Sequence, residues 1–251
     1  MTAAAITRPP MRRLTSVELR KMTDTRAGFW LMAVTVLLAV GLVAVMLIWA
    51  QPADLTLRQI NSSIIGVMSL LLPVLGILAV TSEWSQRTAL ATFTLVPIRE
   101  RVIGAKLLAA IGLAVAATLI ALLLAIVTNA IAPHVTDADG SWSFTLGDFG
   151  RGALYQTLSL LAGFAFGLML MSSAPAIVLA YLLPTAFAII SEVVPGFRHT
   201  ADWLDTSPST TALLDGDMTS ELWQQLLTSE LLWIALPLAI GLVRLRRREL
   251  A

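Results

Sequence analysis

No cysteine occurs among the 251 residues of the chain, so disulfide frameworks and thiolate metal sites are excluded. Charge is scarce as well: 13% of residues are Asp, Glu, Lys or Arg, whereas a soluble domain of ordinary composition carries roughly 25%. The only lysines are Lys21 and Lys106, and neither follows a glycine loop that cradles phosphate. With no GxxxxGK[ST] pattern either, the chain is expected to hydrolyse no nucleotide itself. HExxH is absent, and His134 and His199 have no spacing that suits a metal, so both read as solvated loop residues. Neither an enzyme activity nor a cofactor or metal bound by this chain is expected.

What is abundant is apolar: 57% of residues are hydrophobic and the mean hydropathy is +0.81. Several runs reach the roughly 20 residues that a helix needs to cross a hydrocarbon core. They are too long for the alternating strands of a membrane barrel. The expected fold is all-α, an integral membrane bundle of six transmembrane helices at about 28–50, 63–81, 107–132, 152–172, 175–194 and 231–243. The first run has no small-residue cleavage site after a short core and reads as a retained span. Trp30 and Trp49 lie near its two ends, where amphipathic rings prefer the headgroup level. Pro73 interrupts the second run, which a bundle tolerates when neighbouring hydroxyls satisfy the freed carbonyls.

Lys and Arg set the orientation. Fourteen of the 17 fall in residues 1–27, in residues 81–106 and in the RLRRREL tail, which places both termini and the 81–106 segment in the cytoplasm. Residues 1–27 form a basic segment with an interfacial helix, in which Met11, Leu14, Leu19 and Met22 share one half of a wheel and Arg12, Arg13, Ser16 and Arg20 the other. Glu18 and Val17 sit on the wrong sides. A solvated basic tail is the alternative. Residues 195–229 mix Asp and Glu with Trp203, Leu213 and Trp223 and read as an outer helical loop.

Ion-coupled carriers keep titratable groups at mid-membrane depth. The nearest candidates, Glu83, Glu192 and Glu230, lie at the ends of the expected spans, which disfavours a proton-coupled carrier or an embedded enzyme. Gly163 and Gly167 form a GxxxG in the fourth run, suited to helix packing within the protomer. Ser63, Ser69, Thr157 and Ser159 either line a polar route or bond back to their own helices.

The one charged stretch between two long runs on the cytoplasmic side is TSEWSQRTALATFTLVPIRERVIGAK, Thr81 to Lys106. It places Glu83 and Arg87 directly after one run, a mixed segment from Thr88 to Val96, Pro97 as a stop, and Arg99, Arg101 and Lys106 before the next. A short cytoplasmic helix gripped by a soluble partner fits this pattern; a solvated loop that only sets orientation is the alternative.

Through SVELRKMTDTRAGFW before the first run, TSEW and VPIRERVIGAK around the central segment, and the basic tail, the chain resembles the six-helix permease subunits of ATP-binding-cassette exporters, of the bacterial type encoded apart from their ATPase. The resemblance implies a coupling helix in 82–106 that docks on the ATPase, with Glu83 capping or ion-pairing at its start, Thr88 beginning the helix, Pro97 and Arg99 ending it, and Lys106 snorkelling at the headgroup level. Many relatives carry Gly before the Thr, where this chain has Arg87. It further implies a bacterial plasma (inner) membrane location and two copies of a cognate ATP-binding subunit that carry the ATP and Mg. A second permease protomer, identical or related, is also implied; membrane lipid surrounds the bundle and no nucleic-acid partner is expected. Transport of an amphiphilic or hydrophobic substrate outward is the expected function. A lipid-acting enzyme built on the outer Asp and His residues, and a non-transporting anchor of an ATPase complex, are the alternatives.

Overall fold

The computed structural model describes residues 9–85, 99–194, 196 and 201–247. The fold is all-helical, with 85% helix and no strand among the described residues. Among the described residues six helices are long and apolar enough to cross a membrane: Arg26–Trp49, Leu57–Trp84, Glu100–Val135, Leu146–Leu170, Ser173–Val193 and Ser220–Arg247.

Helix α1 (Met11–Asp24) precedes the first of these and meets α2 (Arg26–Trp49) at Thr25, whose extended backbone breaks the helix and whose hydroxyl accepts from the Gly28 amide at 3.2 Å. The turn is tight enough to require glycine: a Cβ on Gly28 would lie 1.9 Å from the Met22 carbonyl oxygen. A side chain there would force α1 away from α2.

The second span is two helices, α3 (Leu57–Met68) and α4 (Leu72–Ser85). Thr56 caps α3, whose first residue, Leu57, lies six residues before the expected start of the span. The break follows from Pro73, which lacks an N–H and crowds the carbonyl of Ser69. Neighbours take up the freed carbonyls: Ser159 donates to Ser69 O at 3.0 Å, and the Tyr181 hydroxyl donates to Leu70 O.

Helix α5 (Arg99–Val135) is 37 residues long. Its inward stripe is alanine, with Ala105, Ala109, Ala114, Ala121 and Ala125 buried, and alanine is the best helix former. The helix runs past Pro133, the expected stop, because so near the C-terminus the proline deletes a single backbone bond.

Helix α6 (Leu146–Leu170) starts earlier than expected because Thr145 and Asp148 form a reciprocal capping box. It is the hub of the bundle, packed against α3, α4, α5, α7 (Ser173–Val193), α8 (Ser207–Asp215) and α10 (Leu236–Arg247). A Cβ on Gly163 would fall 1.9 Å from Pro73 O and one on Gly167 3.0 Å from Ile77 Cα, so the GxxxG lets α6 press its backbone onto α4. Gly241 of α10 approaches Leu168 as closely.

Helix α9 (Ser220–Glu230) is continuous with α10 through a π-helical turn, Leu231–Ala235. The last membrane-capable helix therefore begins at Ser220, before the expected start at residue 231 and near the earlier start at Trp223 that so brief a run allowed. Pro237 explains the π turn: it cannot donate to Trp233, and the Leu236 amide bonds instead to Leu231 O.

The charged groups gather at opposite ends. At one end Arg101 donates to Pro9 O at 2.9 Å and Arg246 pairs with Glu100 at 2.7 Å, so the start of α1, the start of α5 and the end of α10 lie together. At the other end Asp148 binds Arg58 at 3.1 Å and also Arg151.

Candidate functional site: a buried charge ring at the basic end

Helix α1 turns a stripe of Met11, Leu14, Thr15, Glu18 and Met22 toward the bundle at i, i+3 and i+4 spacing. The stripe differs from the expected one at its centre. Leu19, assigned to the apolar half, is 37% exposed, while Glu18 is 6% exposed.

Glu18 is buried because it has partners waiting. One carboxylate oxygen accepts from Lys21 at 2.8 Å and the other from Lys106 at 2.6 Å. Both ammonium groups also reach one oxygen of Glu83, Lys21 at 2.9 Å and Lys106 at 3.2 Å. Glu18, Lys21, Glu83 and Lys106 thus form a closed ring of alternating charge that uses both lysines of the chain. Lys106 adds a bond to Ala79 O at 3.0 Å, so all three of its donors are engaged.

Lys106 and Glu83 are 3% and 6% exposed. Burying isolated charges here would be prohibitive, and the ring resolves this by neutralising each charge with two of opposite sign. Lys21 is the member nearest solvent. Burial works to lower its pKa, but the hydrogen bonds to Glu18 and Glu83 outweigh that and raise it above the ordinary 10.5.

The ring joins three elements: α1 through Glu18 and Lys21, the end of α4 through Glu83, and the start of α5 through Lys106. Helices α4 and α5 are the two that bracket residues 86–98. Further contacts brace the junction. Thr81 bonds Ser173 at 2.7 Å, tying the end of α4 to the start of α7, and Met11 lies against Gly104. A cavity of about 490 Å³ opens beside the ring, walled by Lys21, Met22, Thr25 and Arg26 of the elbow and by Leu75 and Leu78 of α4.

The expected site residues divide accordingly. Glu83 and Lys106 come together, and Lys106 points into the protein toward carboxylates instead of reaching out to headgroups. Arg99 opens α5. Arg87, Thr88 and Pro97 lie outside the described residues, as does most of the expected coupling helix. Sequence reasoning missed Glu18 and Lys21 as members of the site. The available signal was Glu18 itself, a carboxylate centred in an otherwise apolar stripe four residues before Met22.

The hydroxyls of the spans separate into two groups. Thr157 bonds back to Ala153 O at 2.7 Å, Ser69 to Gly66 O at 2.6 Å, and Ser159 crosses to Ser69 O. Ser63 lines a cavity of about 190 Å³ with Gln59, Ser62 and Tyr155. Among the described residues no group of three or more His, Asp or Glu is placed to hold a metal.

Six membrane-capable helices make this a multi-pass membrane protein. Compared with known protein families and with characterised proteins, the chain matches none.

Proposed function

We propose that this chain is the transmembrane permease subunit of an ATP-driven exporter, working with a separate ATP-binding subunit in two copies and with a second permease protomer. The basic end of the bundle faces the cytoplasm, as the weight of Lys and Arg requires, and the membrane is the bacterial plasma membrane. The substrate is amphiphilic or hydrophobic.

The observation that carries this reading is the charge ring. A permease driven from outside needs a rigid handle, and residues 86–98 are bracketed by two helices locked to each other and to α1 through Glu18, Lys21, Glu83 and Lys106. A force applied to that segment is delivered to three elements at once. Rigid-body movement of such a unit is one of the established routes by which a two-state membrane protein changes access.

The test is co-purification of the chain in detergent with its candidate ATP-binding subunit, comparing wild type with Arg87→Glu and Pro97→Ala. Binding at equal stoichiometry that the substitutions weaken supports the reading. Wild-type chain that retains no ATPase refutes it.

A further inference from the structure

The last membrane-capable helix, Ser220–Arg247, carries a carboxylate in its interior. Glu230 stands 14 residues before Arg244, roughly 21 Å along the helix axis at 1.5 Å per residue, a separation shorter than a hydrocarbon core about 30 Å thick. It is the last residue before the π turn. Carboxylates in membrane-crossing helices are rare and pair with something. Among the described residues Glu230 has no hydrogen-bond or ion-pair partner.

Glu230 lines a cavity of about 160 Å³ together with Tyr155, Ser159, Thr206, Thr210 and Trp233. Apart from the Thr206 hydroxyl, the protons of these neighbours are committed elsewhere. Ser159 donates to Ser69 O, Thr210 to the Thr206 and Ser207 carbonyls, and the Trp233 indole to Leu204 O at 2.8 Å. Tyr155 and Ser69 share a bond of 3.3 Å, and because the Ser69 hydroxyl already donates to Gly66 O, Tyr155 is the donor. The cavity therefore offers a carboxylate and several hydroxyl lone pairs, with the Thr206 hydroxyl as its one uncommitted donor among the described residues. Trp233 is held in place by its bond to Leu204 and by an edge-to-face contact with Phe187 at 5.9 Å.

We propose that this cavity binds the primary ammonium head of an amphiphile, with Glu230 as counter-ion. A primary ammonium supplies three donors and a positive charge, where the walls supply one hydroxyl donor and no cation, and the volume admits the head and its first methylenes while the chain stays in the apolar bundle. A lone carboxylate with hydroxyls is a poor set for a divalent ion, which takes six or more oxygens. The bound group comes either from an aminophospholipid or from a free amine amphiphile. As the exporter's substrate class this rests on the function proposed above; as a binding site it does not.

The full chain in phosphatidylcholine nanodiscs, whose headgroups have no N–H donor, is titrated with tritiated dodecylammonium, and uptake by empty discs is subtracted. Saturable binding is expected, weaker by about tenfold or more in Glu230→Gln, as for loss of a charge-assisted hydrogen bond. Dodecanol and dodecyltrimethylammonium are expected to compete poorly. Thr210→Val, which keeps the carboxylate and removes one acceptor, is expected to weaken binding without altering elution of the protein, and gives a second reading if Glu230→Gln fails to fold. Discs containing phosphatidylethanolamine separate the sources: competition identifies the bilayer headgroup as occupant, and its absence a free amine, both on the same site. Absence of saturable binding to wild type, or affinity unchanged in Glu230→Gln and Thr210→Val, overturns the proposal. No ATPase enters the assay, so failure of the exporter reading leaves this result standing, and the converse holds.

Discussion

Replacing Lys106 with Met tests the ring at its most buried member. Methionine keeps the volume of the stem but removes the contacts to Glu18 at 2.6 Å, to Glu83 at 3.2 Å and to Ala79 O at 3.0 Å. Two carboxylates, each 7% exposed at the side chain, are then left to share Lys21, which is 42% exposed. Unit charges 4 Å apart at an effective dielectric constant of 20 interact by about 4 kcal/mol, and stranding one partner of a buried pair costs about 3–5 kcal/mol. Because Lys21 and water relieve part of this, the expected loss is about 3 kcal/mol, the lower end of that range. At 1.4 kcal/mol per tenfold, α1 should open on the order of 100 times more often. Hydrogen exchange of the α1 amides in nanodiscs reads this directly. The double variant Glu18→Gln/Lys106→Met restores neutrality and leaves the Lys21–Glu83 pair, so it should recover more than half of the lost protection. Unchanged exchange in Lys106→Met, or a double variant as exposed as the two single effects combined, would show that α1 is held by Met11 and Met22 and not by the ring.

Two further outcomes follow from close contacts and from charge. Gly163→Ala drives a methyl group to within 1.9 Å of Pro73 O and 2.5 Å of Pro73 C; because both obstacles are backbone, α4 and α6 must separate, at about 2 kcal/mol or more. Thermal unfolding in detergent should show a clear drop for it and none for Gly41→Ala, whose added methyl group meets nothing within 4 Å. The raised pKa of Lys21 gives the third: its contribution is fully present below the unfolded value of 10.5 and is lost as pH rises through the higher folded value. Protection of α1, corrected for intrinsic exchange, should therefore stay level from pH 7 to pH 9 through this group, about 1.5 units below the unfolded value, and decline only above it. A fall through Lys21 at pH 8, absent in Lys21→Arg, would contradict the pairing.

The six spans were legible because hydropathy over twenty residues is a large, additive signal that tertiary context does not override. Their ends were not, since each depends on one or two local groups. Thr56 and the Thr145–Asp148 box extend α3 and α6 outward, and Pro237 is absorbed by a π turn that keeps α9 and α10 continuous. That last extension matters for the proposed site: a span expected to begin at 231 leaves Glu230 at its end, whereas the helix from Ser220 carries it in its interior. The ring was half legible. Glu83 and Lys106 stood out as isolated charges beside apolar runs. Glu18 was noticed only as a violation of amphipathicity, because a wheel registers polarity and cannot show that a buried ammonium from a residue 88 positions away lies opposite.

The same geometry decides where movement can occur. With α1, α4 and α5 joined at the ring, a displacement of that junction relative to the rest of the bundle must be taken up elsewhere along those helices. Helix α5 is unbroken from Arg99 to Val135, so it moves as a rod. The second span does contain a joint, the turn at Ser69–Leu71 before Pro73, and its freed carbonyls are held by Ser159 of α6 and Tyr181 of α7. Ser159 and Tyr155, which grips Ser69 from the same face of α6, also line the Glu230 cavity. That joint is therefore bonded to two side chains that also wall the Glu230 cavity. On the proposed function, that shared wall is the shortest physical link between a handle at one end and a cation site near the other.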